Sequence, residues 1–221
     1  VPGQVVVGGS MSALGKSVDW YLDTFEEPSV THNQLINRVS KVPPGADGLI
    51  FLPYLAGERS PIWDPDARGV FFGLSLRHNR DHMARAVLES TAFAVRHLAE
   101  PIQQAGGQVH EMRVTGGQAQ NNTLSQIKAD VLGFPVTVPR VTEAAVMGAA
   151  ILAGMGVKIF PDLAASSKQM VSICETMEPD QELHEYYSQL YAVYERLYPD
   201  LRDAFHELST LNARGHCSPS N

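Results

Sequence analysis

Apolar positions recur at spacings of three and four over several stretches of this chain, and in short stretches they run together or alternate with polar ones. From about Ser12 to Phe25, Val18, Tyr21, Leu22 and Phe25 fall on one helical face. A shorter helix is predicted over Thr31–Val39, with Leu35, Ile36 and Val39 inward. Asp81 is expected to cap a long helix that turns Met83, Val87, Thr91, Ala94 and Leu98 to one side. Leu124, Ile127, Val131 and Leu132 define another, with Gly133 as its C-terminal cap. Thr142 precedes an Ala-rich helix, Ala144 to Gly156, and a short helix follows around Pro161 to Ser167. The last helix, about Glu182 to Leu208, carries a stripe from Leu183 through Tyr187, Leu190, Tyr194, Leu197, Leu201 and Phe205 to Leu208, and Pro199 should kink or restart it. Continuous or alternating runs predict strands at Val5–Val7, Gly48–Pro53, Val70–Ser75, around Met112–Val114 and at Pro135–Pro139. Strands and helices alternate in the second half, which argues for an α/β domain with parallel pairing there.

One of these junctions stands out. Met112-Arg-Val-Thr-Gly-Gly-Gln-Ala-Gln-Asn-Asn-Thr123 reads as strand, double-glycine turn and helix start. Gly116 and Gly117 remove the side chains where the backbone turns, so that another molecule can approach the main chain. Asn121 to Thr123 supply capping groups, and Thr123 with Gln126 fits a capping box. A turn at the carboxyl end of a strand is where nucleotides often bind in α/β sheets. On its own, the pattern fits a plain connection as well as a ligand contact.

Composition narrows the field. The 221 residues are enough for one large domain or two small ones, and 44% hydrophobic with 19% charged content is that of a globular protein. A formal net charge of -7 without a Lys/Arg-rich stripe argues against nucleic acid as a partner. Cys174 and Cys217 give neither a disulfide framework nor a metal-ligand spacing. No apolar run reaches the ~18 residues of a membrane span, and the N-terminus does not read as a signal peptide, so no membrane partner and a cytoplasmic location are expected. The chain begins without Met inside what reads as a strand, which suggests a cut within a longer polypeptide. Residues 212–221 are polar, and no ordered structure is expected there.

Four features have site-like chemistry. Gly8 to Ser17 is a Gly/Ser-rich lead into a helix and contains Gly15-Lys16-Ser17, but Ser10 stands where a phosphate-binding Walker loop needs glycine. The helix start could still face phosphate. The long segment Tyr54 to Arg68, rich in Gly, Pro, Asp and Arg, is either a catalytic loop or a loop held in shape by its own ion pairs, the second reading being favoured. The double-glycine turn is the third. The fourth is the Ala144–Gly156 helix, whose small residues more often mean tight packing than ligand contact. The histidines show no metal-binding spacing, and His82 and His97 read as surface or capping groups.

Taken together, the segments resemble the C-terminal half of the FGGY family of carbohydrate kinases. The most specific block is Gly69-Val-Phe-Phe-Gly-Leu74 followed by His82-Met-Ala-Arg-Ala-Val-Leu-Glu89, which fits the family's second signature. The Gly57–Gly69 loop looks like the xylulokinase branch. Gly15 to Trp20, that loop, the Gly116-Gly117 turn, Glu143 and Gly148 to Gly154 also follow in family order, and the resemblance covers roughly residues 5 to 208. It implies an actin-like ATPase (ribonuclease-H-like) C-terminal domain over 1–209, lacking its first strands, with a polar tail at 210–221. It further implies ATP and Mg²⁺ as cofactors, a sugar substrate, and an N-terminal kinase domain as partner, on the same or a separate chain; a homodimer is allowed. Matched residue by residue, Gly15 and Asp19 lie near ribose and adenine. Gly117 and Asn121, with Gly116 in support, form the turn against the adenosine. The family's catalytic Asp and its phosphate-contacting Gly-Thr turn fall before Val1. No catalytic or metal-binding residue is therefore assigned here, Asp64 and Asp66 are not promoted to fill the gap, and the segment alone is expected to be inactive. The readings carried forward are ATP-dependent phosphorylation of a sugar hydroxyl, xylulose-like pentulose favoured, and two alternatives: a non-catalytic nucleotide-binding or interaction module, and glycerol kinase within the family.

Overall fold

A computed structural model describes residues 6–215. Helix α1 (Lys16–Phe25) is followed by α2 (His32–Val39), strands β1 (Ile50–Leu52) and β2 (Val70–Phe72), α3 (Arg80–Gln104), β3 (Met112–Arg113), α4 (Asn122–Leu132), β4 (Val136–Pro139), α5 (Ala144–Gly156), α6 (Leu163–Met170), β5 (Ile173–Met177) and α7 (Gln181–Gly215). They form two compact units, one made of residues 1–108 and 185–221 and the other of residues 109–184.

In the first unit, β1 pairs antiparallel with β2, Ile50 opposite Phe72, and the three residues of β1 are fully buried, as their continuous apolar run requires. α2 forms because Thr31 and Gln34 exchange side-chain and backbone hydrogen bonds in a capping box. α3 starts two residues earlier than the expected cap implies. Asn79 is its cap, accepting from Asp81 N and His82 N, and the expected Asp81 lies inside the first turn. α3 buries every residue from Ala84 to Ala94, more than the single predicted face, because α1, α2, β1 and α7 all pack or bond against it. Phe93 of α3 meets the rings of Tyr187, Tyr191 and Tyr194 of α7 at centroid distances of 6.0, 6.1 and 5.4 Å. Aromatic pairs of this kind add roughly 0.5–1.5 kcal/mol beyond the area they bury.

α7 runs as one helix through Pro199, where a kink or restart was expected. A helical proline loses one backbone bond, and here Tyr194, Leu197 and Phe205, buried on either side of it, hold the helix to its unit. The helix also runs past Ser209, so the segment expected as a polar tail begins as helix; residues 216–221 lie outside the described residues. Of the predicted first strand, Val6 and Val7 are exposed and not in a strand, and Val5 lies outside the described residues. α1 likewise begins at Lys16, after bends and a turn at 12–15, later than the apolar pattern suggested.

The second unit contains a three-stranded sheet in the order β3-β4-β5. β3 and β4 are parallel, Met112 opposite Val136, as predicted, with α4 as the crossover. β5 pairs antiparallel with β4 and has no counterpart in the sequence reading. α4 ends where Gly133 takes φ +75°, and a Cβ there would lie 2.5 Å from the His184 ring. The position therefore requires glycine twice over, for conformation and for space. At α5 the residue before the helix is Glu143, not Thr142, and no side chain caps it.

Among the described residues, no helix is long and apolar enough to cross a membrane.

Candidate nucleotide site

In the second unit the chain leaves β3 with Val114 N donating to Thr137 O at 3.0 Å, and then turns. Gly116 takes φ +71° and opens a 3-10 turn over Gly116–Gln120. Its amide donates to Thr142 O at 2.8 Å, which ties the turn to the segment that follows β4. A Cβ at Gly116 or Gly117 would meet nothing within 4 Å, so the space in front of the turn is open. Asn121, not Thr123, is the cap of α4; its Oδ1 accepts from Thr123 N at 3.0 Å and Leu124 N at 3.4 Å. Gln126, the other half of the predicted capping box, instead donates to Asp130 Oδ1 and Glu178 O, both at 2.8 Å. An asparagine accepts both amides of the first turn from the residue before it, which leaves Thr123 no capping work.

Beside this turn lies a cavity of about 300 Å³ at the carboxyl ends of β3 and β4, lined by Arg113, Thr115, Pro139, Val141, Met147 and Gly148 among others. Its place at the ends of parallel strands is the usual one for ligands in α/β sheets, and its volume is at the lower end for small-molecule sites. The sequence reading missed Arg113, Thr115 and Met147. The signal for the first two was there, since they are the last residues before the double glycine.

Gly15 and Asp19 belong to the first unit. Gly15 is the residue before α1, with helical φ and ψ and no side-chain cap. Asp19 lies in the first turn of α1, exposed, with Oδ1 2.8 Å from Nε2 of His32, itself exposed. The turn residues Gly116, Gly117 and Asn121 are thus brought together in one unit, and Gly15 and Asp19 in the other.

Several histidines and acids elsewhere make structural contacts. His82 completes the Asn79 capping box and faces Asp47 Oδ2 at 3.2 Å. His97 lies edge-on to Tyr194, and burial pushes its pKa down. Asp64, Asp66 and His206 bring potential metal ligands within 4.8 Å of one another. Three of the four carboxylate oxygens of that cluster accept hydrogen bonds from the protein. Asp64 Oδ2 accepts from Tyr198 OH and faces His206 Nε2, each at 2.9 Å, Oδ1 accepts from Asp66 N at 2.8 Å, and Asp66 Oδ1 accepts from Ser209 OH at 2.6 Å. The cluster clasps the Tyr54–Arg68 loop to α7.

The fold is that of the actin-like ATPases, in the form found in sugar kinases. A model of the FGGY family of carbohydrate kinases, C-terminal domain, matches residues 1–157, and the chain belongs to that family. A xylulose kinase of Lactococcus lactis subsp. lactis is 32% identical over 217 residues, covering 97% of this chain and 43% of its own length. A glycerol kinase of Pasteurella multocida is 38% identical over 175 residues, 78% of this chain and 34% of that protein. The crystal structure of a ligand-bound xylulose kinase from Lactobacillus acidophilus superposes with a TM-score of 0.83 at 26% identity, covering 90% of this chain and 40% of that one. The chain thus spans less than half the length of each of these relatives.

Proposed function

We propose that this chain is the adenosine-binding side of an ATP-dependent sugar kinase, with a xylulose-like pentulose as the favoured substrate. The observation that carries the reading is the Gly116–Asn121 turn: two glycines with open space before them, at the carboxyl ends of parallel strands and beside a 300 Å³ cavity. Glycines let a flat base lie against the main chain. The residues proposed to contact the nucleotide are Gly116, Gly117 and Asn121 and, by family resemblance, Gly15 and Asp19. Transfer of a γ-phosphoryl group depends on positioning and charge stabilisation, with little covalent work for the protein. This chain's share is to hold the nucleotide. Mg²⁺ would accompany the phosphates, but the Asp64–Asp66–His206 cluster, with a histidine nitrogen among its groups and three of its four carboxylate oxygens taken by protein donors, is a poor match for a cation that prefers oxygen ligands and water.

The partner this reading requires is an N-terminal kinase domain. Helix α5 supports it: of thirteen residues none is charged, only Ile151 and Gly154 are buried, and Val146 is 68% exposed. So apolar a surface on a folded unit marks an interface. Pentulose is favoured over glycerol because the likeness to a xylulose kinase extends over more of the chain, 97% against 78%.

The test is titration of ATP into the protein, followed by an assay for pentulose phosphorylation. Asn121→Ala is expected to weaken nucleotide binding by about three- to tenfold, the worth of one hydrogen bond at ~0.5–1.5 kcal/mol. The 221-residue chain alone is expected to bind ATP without turnover. Phosphorylation by the isolated chain, or unchanged ATP affinity in Asn121→Ala, would contradict this assignment.

A further inference from the structure

The loop from Tyr54 to Arg68 contains a carboxylate whose partners are not cations. Glu58 is 6% exposed. Its Oε1 accepts two backbone amides, Ser12 N at 2.7 Å and Arg59 N at 2.8 Å. The loop and the Gly8–Ser12 lead are joined twice more, by Ser60 N donating to Ser10 O at 3.1 Å and Arg59 Nη2 donating to Met11 O at 3.3 Å. They are also pressed together, since a Cβ on Gly9 would come within 2.7 Å of Ser60 Cβ and 2.3 Å of Leu98 Cδ1.

Both ends of this contact are anchored. Glu58 and Asp64 exchange backbone hydrogen bonds, 2.8 Å each way, which closes the loop on itself. Asp64 in turn is held by Tyr198 and His206 of α7. On the other side, Ser12 leads into Ala13, whose carbonyl accepts both the amide and the hydroxyl of Ser17 at 2.8 Å. Ser17, fully buried, lies in the first turn of α1, next to Gly15 and Asp19. A continuous set of hydrogen bonds therefore runs from α7 through Asp64, Glu58 and Ser12 to the start of α1.

We propose that Glu58 is a positioning residue for nucleotide binding: by fixing the Ser12 amide it sets where α1 begins, and so where the Gly15 backbone and the Asp19 carboxylate are presented. This rests on the adenosine reading above. Glu58 does not touch the nucleotide, and its effect is carried by the backbone. A carboxylate is well suited to gathering two amides on one oxygen, since charged acceptors make the stronger hydrogen bonds. An alanine leaves the Ser12 amide unpaired in a part-buried place, which is the expensive outcome.

The experiment measures affinity for a non-hydrolysable ATP analogue, kcat, and KM for ATP and for sugar, in the kinase with its N-terminal domain present. Glu58→Ala is expected to weaken the analogue by about tenfold and to raise KM for ATP while KM for sugar stays within about twofold. Glu58→Gln, whose Oε1 still accepts, is expected to restore most of the affinity. Where Glu58→Ala does not fold, Glu58→Asp, one methylene short, gives the same split. Asn121→Ala separates the two claims. If it weakens the analogue and the Glu58 variants do not, this inference is overturned and the adenosine reading survives. If neither changes affinity, both fall. Equal effects on ATP and sugar, with no rescue by glutamine, mean a general structural role and overturn the inference.

Discussion

The buried carboxylate of Glu89 in the first unit meets three donors: Arg85 Nε at 2.6 Å, Tyr187 OH at 2.7 Å and Gly45 N at 2.9 Å. Burial works against the Arg85 guanidinium, but Glu89 beside it holds its pKa above the ordinary value. The buried ammonium of Lys128 in the second unit, 1% exposed, meets no partner among the described residues, and neither does the hydroxyl of Ser125 one turn before it. Arg38 Nε and Asp81 Oδ1 in the first unit are out of line for a hydrogen bond but still form an ion pair at 2.6 Å. The second unit also exposes the uncharged helix α5. One unit closes its polar groups on itself. The other holds a buried ammonium and a buried hydroxyl that meet no partner among the described residues, and it carries an uncharged helix on its surface.

The comparison is broken most forcefully at Glu89. Glu89→Ala strands Arg85 and the Gly45 amide, and a buried pair that loses one member costs about 3–5 kcal/mol. The unfolding midpoint in urea should fall accordingly, while hydrogen exchange of the α4 amides stays as it was. A loss below about 1 kcal/mol would mean that the network is no more than a surface-grade contact.

Lys128 sharpens the other side. Burial lowers its pKa from 10.5 to about 8. Near neutral pH the folded state therefore carries a charge it holds poorly, at a cost of about 3 kcal/mol. Lys128→Met should slow exchange of the α4 and β4 amides by a matching factor at pH 7. The sign is fixed by linkage: between about 8 and 10.5 the unfolded chain binds the proton and the folded chain does not, so the parent gains stability as pH rises and the advantage of Met disappears. A Met variant no more stable than the parent would show that Lys128 has found an acceptor.

The smallest effect is expected at Asp64. Burial raises its pKa, but the Asp66 amide, Tyr198 and His206 outweigh it and hold the group below its ordinary 3.8. Its contribution is present above that value and is lost as pH falls through the lower folded value. Asp64→Asn should flatten this part of the acid-unfolding profile followed by circular dichroism. An unchanged profile would remove Asp64 from the clasp.

Much of this architecture was legible where local chemistry and packing agree. The Thr31 helix, the Gly133 cap and the parallel β3–β4 pair needed only a capping group, a glycine and two apolar runs separated by a helix. The cap of α3 was placed two residues late because Asn79 stands before Asp81, another plausible cap, and at α4, where Asn121 was among the capping groups named, the capping box was set at Thr123; only geometry chooses between such neighbours. β5 left no trace, since four of its five residues are exposed and an edge strand with one neighbour carries no alternation. At the site, the double glycine and Asn121 could be read from the residue types, while the cavity beside them could not, because β3, β4, α5 and α6 build it jointly. The Glu58 loop was read as held in shape by ion pairs, whereas Glu58 itself is engaged by backbone amides.

That loop carries one more consequence. The chain has two tryptophans. Trp20 is partly covered and stacks 5.9 Å from Phe51, whereas Trp63, in the left-handed region at φ +57°, is 70% exposed on the loop closed by Glu58 and Asp64. The two indoles report different surroundings, so the protein carries an intrinsic optical label at the ring's edge: a red-shifted, quencher-accessible emitter on a segment whose backbone is pinned at both ends. Whatever comes to lie over that segment will announce itself in the colour of the light.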